Sequence, residues 1–334
     1  MTAEIELEAA LAEPTPELVA DLAHLPGDFV VLGASGKMGP SLVRLLVRAL
    51  DTAGIRRRVF GVARYGAGAE PEFPGAEVIR ADLLDPAAVR ALPMAANVIY
   101  LVGQKFGTST DPARTWAVNT AIPAFVAERY RGARIVVFST GNVYPLTEPS
   151  AGGPTETDPT GPVGEYAQSA LARERVFTFY GERDRTPVAI LRLNYAIEPR
   201  YGVLRDIGDR VFAGETVDLA MGHVNVIWQR DANAAAVRAL RHAGTPPFVV
   251  NLTGPFRTVR SIAEAFGRRF GKPARFIGRE AATALIANTA RCEAVFGPPV
   301  VGIEAMVDRV AEWIVAGGRS LGKPTHFTDR EGRF

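Results

Sequence analysis

The sequence predicts an α/β protein built on a doubly wound parallel sheet, and three observations support that expectation. The first is Phe29-Val30-Val31-Leu32 running into Gly33-Ala34-Ser35-Gly36-Lys37-Met38-Gly39 and then into Pro40 to Leu50, where Leu42, Leu45, Leu46 and Ala49 recur at helical spacing. An apolar β-branched run closed by glycine reads as a buried strand, so these glycines lie on a strand-to-helix turn. The second is the alternation of short apolar runs with helical patterns as far as residue 193. The third is composition: 334 residues, 47% hydrophobic and 22% charged, are those of an ordinary globular protein with one large domain or two.

Glycines that open a helix after a strand are expected where a pyrophosphate rests on backbone N–H groups. Gly33 permits the tight turn, Gly36 lets the backbone approach the phosphates, and Gly39 lets the helix pack closely on the strand. The spacing is G-x-x-G-x-x-G, with Ser35, Lys37 and Met38 between the glycines as further candidates for contact with a dinucleotide.

Taken in order, residues 1–27 read as an extension with one short helix, because Thr15-Pro16-Glu17 offers an N-cap, a proline in the first turn and an early acid. Arg58 to Ala63 makes the second strand and Ala76 to Ala81 the third, followed by a helix from about Pro86 to Leu92. Asn97 to Val102 is the fourth strand, Thr115 to Tyr130 a helix, and Ala133 to Phe138 the fifth strand. Turn-forming residues thicken past 145, so a surface loop precedes the helix that carries Tyr166. Val188 to Leu193 is the sixth strand; a helix near Ala232 to Arg241, a strand at Phe248 to Leu252 and a C-terminal helix with Met306, Val307, Val310, Ala311 and Ile314 on one face complete the pattern. The expected division is 1–27 as extension, 28–197 plus 226–254 as a dinucleotide-binding domain, and 198–225 plus 255–334 as a smaller, mostly helical substrate domain.

Several function classes fall away on composition. A formal charge of only +2 gives no support to nucleic acid or an anionic membrane as partner. The single cysteine, Cys292, excludes an internal disulfide, and His24, His223, His242 and His326 are scattered without ligand spacing, so no metal site is expected. Acids at Glu4, Glu6 and Glu8 stand where a signal peptide would need positive charge, and no apolar run approaches a membrane span, which points to a cytoplasmic protein.

Four matches in order then resemble the extended short-chain dehydrogenase/reductase group, in particular the NAD-dependent epimerase/dehydratase family. They are the glycine turn, Asp82-Leu83 after the third strand, Phe138-Ser139-Thr140-Gly141-Asn142-Val143-Tyr144 after the fifth, and Tyr166 on the following helix. The likeness runs from about Asp28 to Ile314. It implies a Rossmann-type sheet, a nicotinamide cofactor and a sugar or similar polyhydroxy substrate. Residue by residue, it implies that Gly33, Gly36 and Gly39 hold the pyrophosphate, Asp82 and Leu83 flank the adenine, Val102 belongs to the cofactor set, and Gly103-Gln104-Lys105 forms a loop whose lysine touches the cofactor phosphates. Asn119 would lie on the helix beneath the nicotinamide, Asn194 would complete the cofactor set, and Thr140 and Tyr166 would take the catalytic Ser/Thr and tyrosine positions. The family often dimerises through the helices around Ala121 to Arg129 and Ala167 to Phe177, so a homodimer is expected.

Two departures refine the expectation. The second strand ends Val62-Ala63-Arg64 without an acid, and a guanidinium there can pair with a 2′-phosphate that a carboxylate would repel, which favours NADP over NAD. The lysine that the family carries four residues past the tyrosine is Ala170 here. Three readings follow: Tyr166 acts chiefly as a proton donor to a carbonyl, Lys105 replaces the missing cation, or the chain binds cofactor as a scaffold or sensor without hydride chemistry.

On the substrate side, the stretch Val224-Asn225-Val226-Ile227-Trp228-Gln229-Arg230-Asp231 has Val224 where nucleotide-sugar members of the family carry an arginine for the diphosphate. The expected substrate is therefore a free or simply modified sugar, sugar acid or polyol. Asn142, Tyr144, Asn194, Tyr195, Arg200, Tyr201, Asn225 and Trp228 are the candidates to contact it, with Arg205 as a cation that could replace the missing arginine.

Overall fold

The computed structural model describes residues 2–66 and 73–333. These divide into two compact units: Met1–Ser139, Glu165–Arg192 and Asn233–Val250 form the first, and Thr140–Gly164, Leu193–Ala232 and Asn251–Phe334 the second.

The first unit is organised on strands β1 (Phe29–Leu32), β2 (Val59–Ala63), β3 (Glu77–Arg80), β4 (Asn97–Tyr100), β5 (Arg134–Thr140) and β6 (Val188–Leu193). With Phe248–Leu252 as a seventh strand, the sheet runs Phe248–Leu252, β6, β5, β4, β1, β2, β3. β1 lies between β2 and β4 and pairs in parallel with both, Phe29 facing Val59 on one side and Asn97 on the other. Buried on both faces, β1 is apolar throughout, as a central parallel strand must be. The order reverses at β1, so the crevice at its carboxyl end is the switch point of the sheet.

Around this sheet lie α1 (Thr2–Leu11), α2 (Pro16–Leu22), α3 (Gly39–Thr52), α4 (Pro86–Ala91), α5 (Pro112–Trp116), α6 (Ile122–Arg129) and α7 (Gly164–Asp184). α3 turns Leu42, Leu45, Leu46 and Ala49 inward. The second unit holds α8 (Val203–Ala213), α9 (Gln229–Arg238), α10 (Val259–Phe270), α11 (Ala290–Phe296) and α12 (Ile303–Val315), of which α9 continues into the first unit. α12 buries the expected face of Met306, Val307, Val310, Ala311 and Ile314.

Two local expectations are corrected. The first 27 residues form two helices, not one: Thr15 caps α2 by accepting from Leu18 N at 3.2 Å, as the sequence suggests, but α1 precedes it. The α1 run is rich in glutamate, alanine and leucine, all strong helix formers, and it is tied to α3 by Glu8 with Arg44 at 2.7 Å. The single helix expected over Thr115 to Tyr130 is α5, a π-helical turn at Ala117–Ala121, and α6. Pro123 explains the break, because it has no N–H to donate to the carbonyl four residues back, at Asn119.

Candidate active site

The glycine turn is shaped by steric need. Gly33 has φ +91°, and a Cβ there would also come within 3.1 Å of the Leu101 and Val102 backbone. A Cβ on Gly39 would lie 2.5 Å from the Ala34 carbonyl oxygen, so the start of α3 packs directly on the turn. No side chain caps α3 and no acid sits in its first turn, which leaves backbone N–H groups and the positive end of the helix dipole for a ligand anion.

Beside this turn is a cavity of about 300 Å³. Gly33, Ser35, Gly36, Arg64, Asp82, Leu83, Val102 and Gly103, all expected from the sequence, line it together. Ala63, Ala81, Leu84, Leu101, Val118 and Ile122 add an apolar floor that sequence reasoning missed, and Gln104 closes one side. Part of the signal was present in the strand ends, where Ala63, Ala81 and Leu101 put small or aliphatic residues at or just past the carboxyl ends of β2, β3 and β4, whereas Leu84, Val118 and Ile122 come from the segments that follow. Lys37, Met38, Gly39, Lys105, Asn119 and Tyr166 lie outside this lining.

Behind Gly103 and Gln104 is a buried polar network. Asn119, fully buried in the π-helical turn, accepts from Gln104 N at 3.0 Å and donates to Gln104 O at 3.2 Å. Its Nδ2 also donates to Ser169 Oγ at 2.9 Å, and Ser169 Oγ donates to the Tyr166 carbonyl at 3.0 Å. Arg173, two helical turns past Tyr166, donates from Nη2 to Asn119 Oδ1 at 2.6 Å and from Nη1 to the Phe138 carbonyl at 2.8 Å. Lys105 Nζ stands 5.9 Å from the centre of the Tyr166 ring, within the range of a cation–π contact. Ala170, where the family lysine would be, is fully buried.

Ser169 and Arg173 were not singled out in the sequence. Their spacing of three and seven residues from Tyr166 puts them on its face of α7, which was the available clue. Next to Arg173 in sequence, Glu174 pairs with Arg192 at 2.8 Å and accepts from Ser139 Oγ at 2.5 Å. The neighbouring Tyr100 is buried against Phe177; burial pushes its phenol upward, with the Arg173 charge opposing.

The remaining expected residues belong to the second unit. Thr140 caps the short turn Gly141–Val143, accepting from Asn142 N at 3.2 Å and donating to Asn142 Oδ1 at 3.0 Å. Tyr144 is buried and donates to Asn251 Oδ1 at 2.8 Å. Asn225 is fully buried and satisfied by Gly254 O, Ala287 O and Ala287 N. Trp228 is a core residue with the Arg309 guanidinium 5.1 Å from its ring. Arg200 is buried on Glu198 at 3.0 Å, and Tyr201 bridges to Glu198 through the backbone. Arg205 is bound to Asp209 at 2.7 Å and to the Pro199 and Gly318 carbonyls at 3.2 Å. Tyr195 is half-buried with φ +27°, and the buried Oδ1 of Asn194 meets no protein donor.

No group of three or more acid, histidine or cysteine side chains capable of holding a metal occurs among the described residues. No helix among them is long and apolar enough to cross a membrane.

The NAD dependent epimerase/dehydratase family matches residues 29–252. The chain is similar to a dTDP-6-deoxy-L-talose 4-dehydrogenase (NAD(P)(+)) of Kitasatospora kifunensis, 27% identical over 74% of this chain and 80% of that one. Among solved structures, it resembles UDP-glucose 4-epimerase of Thermotoga maritima in complex with UDP-glucose, with TM-score 0.72 and 18% identity over 87% of this chain and 99% of the other. It also resembles the Bordetella bronchiseptica enzyme WbmG in complex with NAD and UDP, with TM-score 0.72 and 18% identity over 90% and 98%.

Proposed function

Because the chain belongs to the NAD-dependent epimerase/dehydratase family, we propose that it transfers hydride between a nicotinamide dinucleotide and a carbohydrate carbinol or carbonyl carbon. The observation that supports this most is the uncapped amino end of α3 opening beside an apolar-floored cavity at the sheet's switch point. The glycine turn would hold the diphosphate there, with Asp82 and Leu83 at the adenine. The nicotinamide cofactor supplies or accepts the hydride. Tyr166 would give or take the hydroxyl proton, with Lys105 as the nearby cation and Thr140 as a second hydroxyl.

Arg64, exposed at the cavity, supports a preference for NADP, since it is the group at the end of β2 able to meet a 2′-phosphate. For the substrate, we favour a sugar, sugar acid or polyol without a nucleoside diphosphate, because Arg200 and Arg205 are both committed to internal carboxylates. The named activity of the Kitasatospora relative favours a second reading, a dTDP-linked sugar. The expected homodimer through the helices around Ala121 to Arg129 and Ala167 to Phe177 is kept as part of the proposal, checked by mass in solution.

Single-turnover absorbance at the nicotinamide band, with the purified protein and a panel of free and dTDP- or UDP-linked keto sugars, tests the assignment. Oxidation of NADPH by a member of the panel is the expected result, and Tyr166→Phe should slow it by about 10²- to 10⁴-fold with little change in cofactor affinity. Cofactor binding without any absorbance change across the panel would favour a scaffold or sensor.

A further inference from the structure

Four arginines are buried among the described residues: Arg173, Arg192, Arg200 and Arg205. Arg192 has Glu174, Arg200 has Glu198 and Arg205 has Asp209. Arg173, only 5% exposed, has two neutral oxygens, those of Asn119 and Phe138, and its Nε meets no acceptor. A buried cation is tolerated when a negative charge accompanies it, and neutral acceptors compensate only part of its lost hydration. Glu174, adjacent in sequence, is engaged by Arg192 and Ser139. Tyr100, whose charge state responds to Arg173, has its phenol pushed upward by burial and provides no anion.

The guanidinium lies directly behind the cavity wall. A Cβ on Gly103, which lines the cavity, would come within 2.6 Å of Arg173 Nη2 and 3.3 Å of its central carbon. Glycine at 103 therefore lets the charge approach to one backbone thickness from the cavity. Through Asn119 the same guanidinium also fixes both backbone polar groups of Gln104, the next residue of the wall.

We propose that Arg173 is a positioning residue whose missing counter-ion is the diphosphate of the bound dinucleotide, attracted across the Gly103–Gln104 wall. This rests on the cofactor reading above and adds to it a residue outside the glycine turn. The field acts through low-dielectric protein and not through bulk water, so it survives where an exposed charge would be screened.

The test is titration of the full-length protein with NADPH and with ADP, with adenosine as the uncharged probe, at low and high salt. Arg173→Gln should weaken NADPH and ADP alike by about ten- to a hundredfold, to the same extent at low and high salt, and leave adenosine unchanged. Arg173→Lys, which keeps the charge and loses the fork, should recover most of the affinity for both anions. Gly103→Ala, which crowds the end of the guanidinium but keeps its charge, should weaken both anions less than Arg173→Gln does. Unchanged ADP and NADPH affinity in Arg173→Gln, an equal loss for adenosine, or a defect confined to turnover would each overturn the inference. If Arg173→Gln does not fold, Arg173→Lys decides: near wild-type affinity for ADP and NADPH supports it, and loss of ADP binding overturns it. Wild-type protein that binds neither NADPH nor NADH would instead refute the cofactor reading itself.

Discussion

Asn119 Nδ2 and Ser169 Oγ stand 2.9 Å apart, joining the π-helical turn between α5 and α6 to the helix that carries Tyr166. Because Asn119 also holds both backbone groups of Gln104, one side chain links the cavity wall to the tyrosine helix.

Asn119→Ala should therefore do two things at once. Removing it leaves the buried Ser169 hydroxyl and Arg173 guanidinium short of partners, a loss of about 1–3 kcal/mol in unfolding free energy. It should also loosen the wall and weaken NADPH binding. Denaturant unfolding and fluorescence titration measure the two effects separately.

Arg64→Ala should narrow the preference between NADPH and NADH by about tenfold or more, through weaker NADPH binding with NADH little affected. Because Arg64 is exposed, the effect should shrink as salt rises. Equal affinity of the wild-type protein for both cofactors would remove the basis for the preference.

Gly39→Ala should destabilise the fold by about 1–3 kcal/mol or more, because the added methyl meets backbone at Ala34 and not a side chain that could turn aside. Gly54→Ala is a useful contrast, since nothing lies within 4 Å of a Cβ there and only its left-handed φ of +66° opposes the change. Thermal unfolding should rank Gly39→Ala as the more damaging.

The docking of α2 should be acid-sensitive. Burial opposes ionisation of Asp21, but its hydrogen bonds to Arg238 and Arg241 outweigh it and hold the carboxyl below the usual range. A carboxyl depressed in the folded state adds stability above its unfolded value of about 3.9, and that stability is lost as pH falls through the lower folded value. Asp21→Asn should lower the melting temperature at neutral pH and remove this part of the acid-side slope, which melting curves across pH would show.

Much of the fold was legible because its signals are local. The β1 tetrad, the glycine spacing and the Val188–Leu193 run each specify an element without help from distant residues. The π-helical turn was not legible, since Pro123 in a helical pattern signals a break without saying whether the chain kinks, stops or widens. In the site, the phosphate turn could be read from three glycines, whereas the network behind Gly103 could not. Asn119, Ser169 and Arg173 become neighbours only when α7 is laid beside the π-helical turn, a relation between residues about fifty positions apart.

The substrate candidates show the opposite limit. Asn225 and Trp228 have the chemistry of sugar contacts, yet the amide of one is occupied by the backbone of residues 254 and 287 and the other is 1% exposed. Residue type advertises both roles equally, and burial separates them.

The close fit of Gly103 to Arg173 ties two positions seventy residues apart into a single heritable unit. A methyl gained at 103 crowds the end of the guanidinium, so relatives with a side chain there should bear a shorter residue at 173. Covariation of this kind across descendants of the same ancestor would be visible without purifying a single protein.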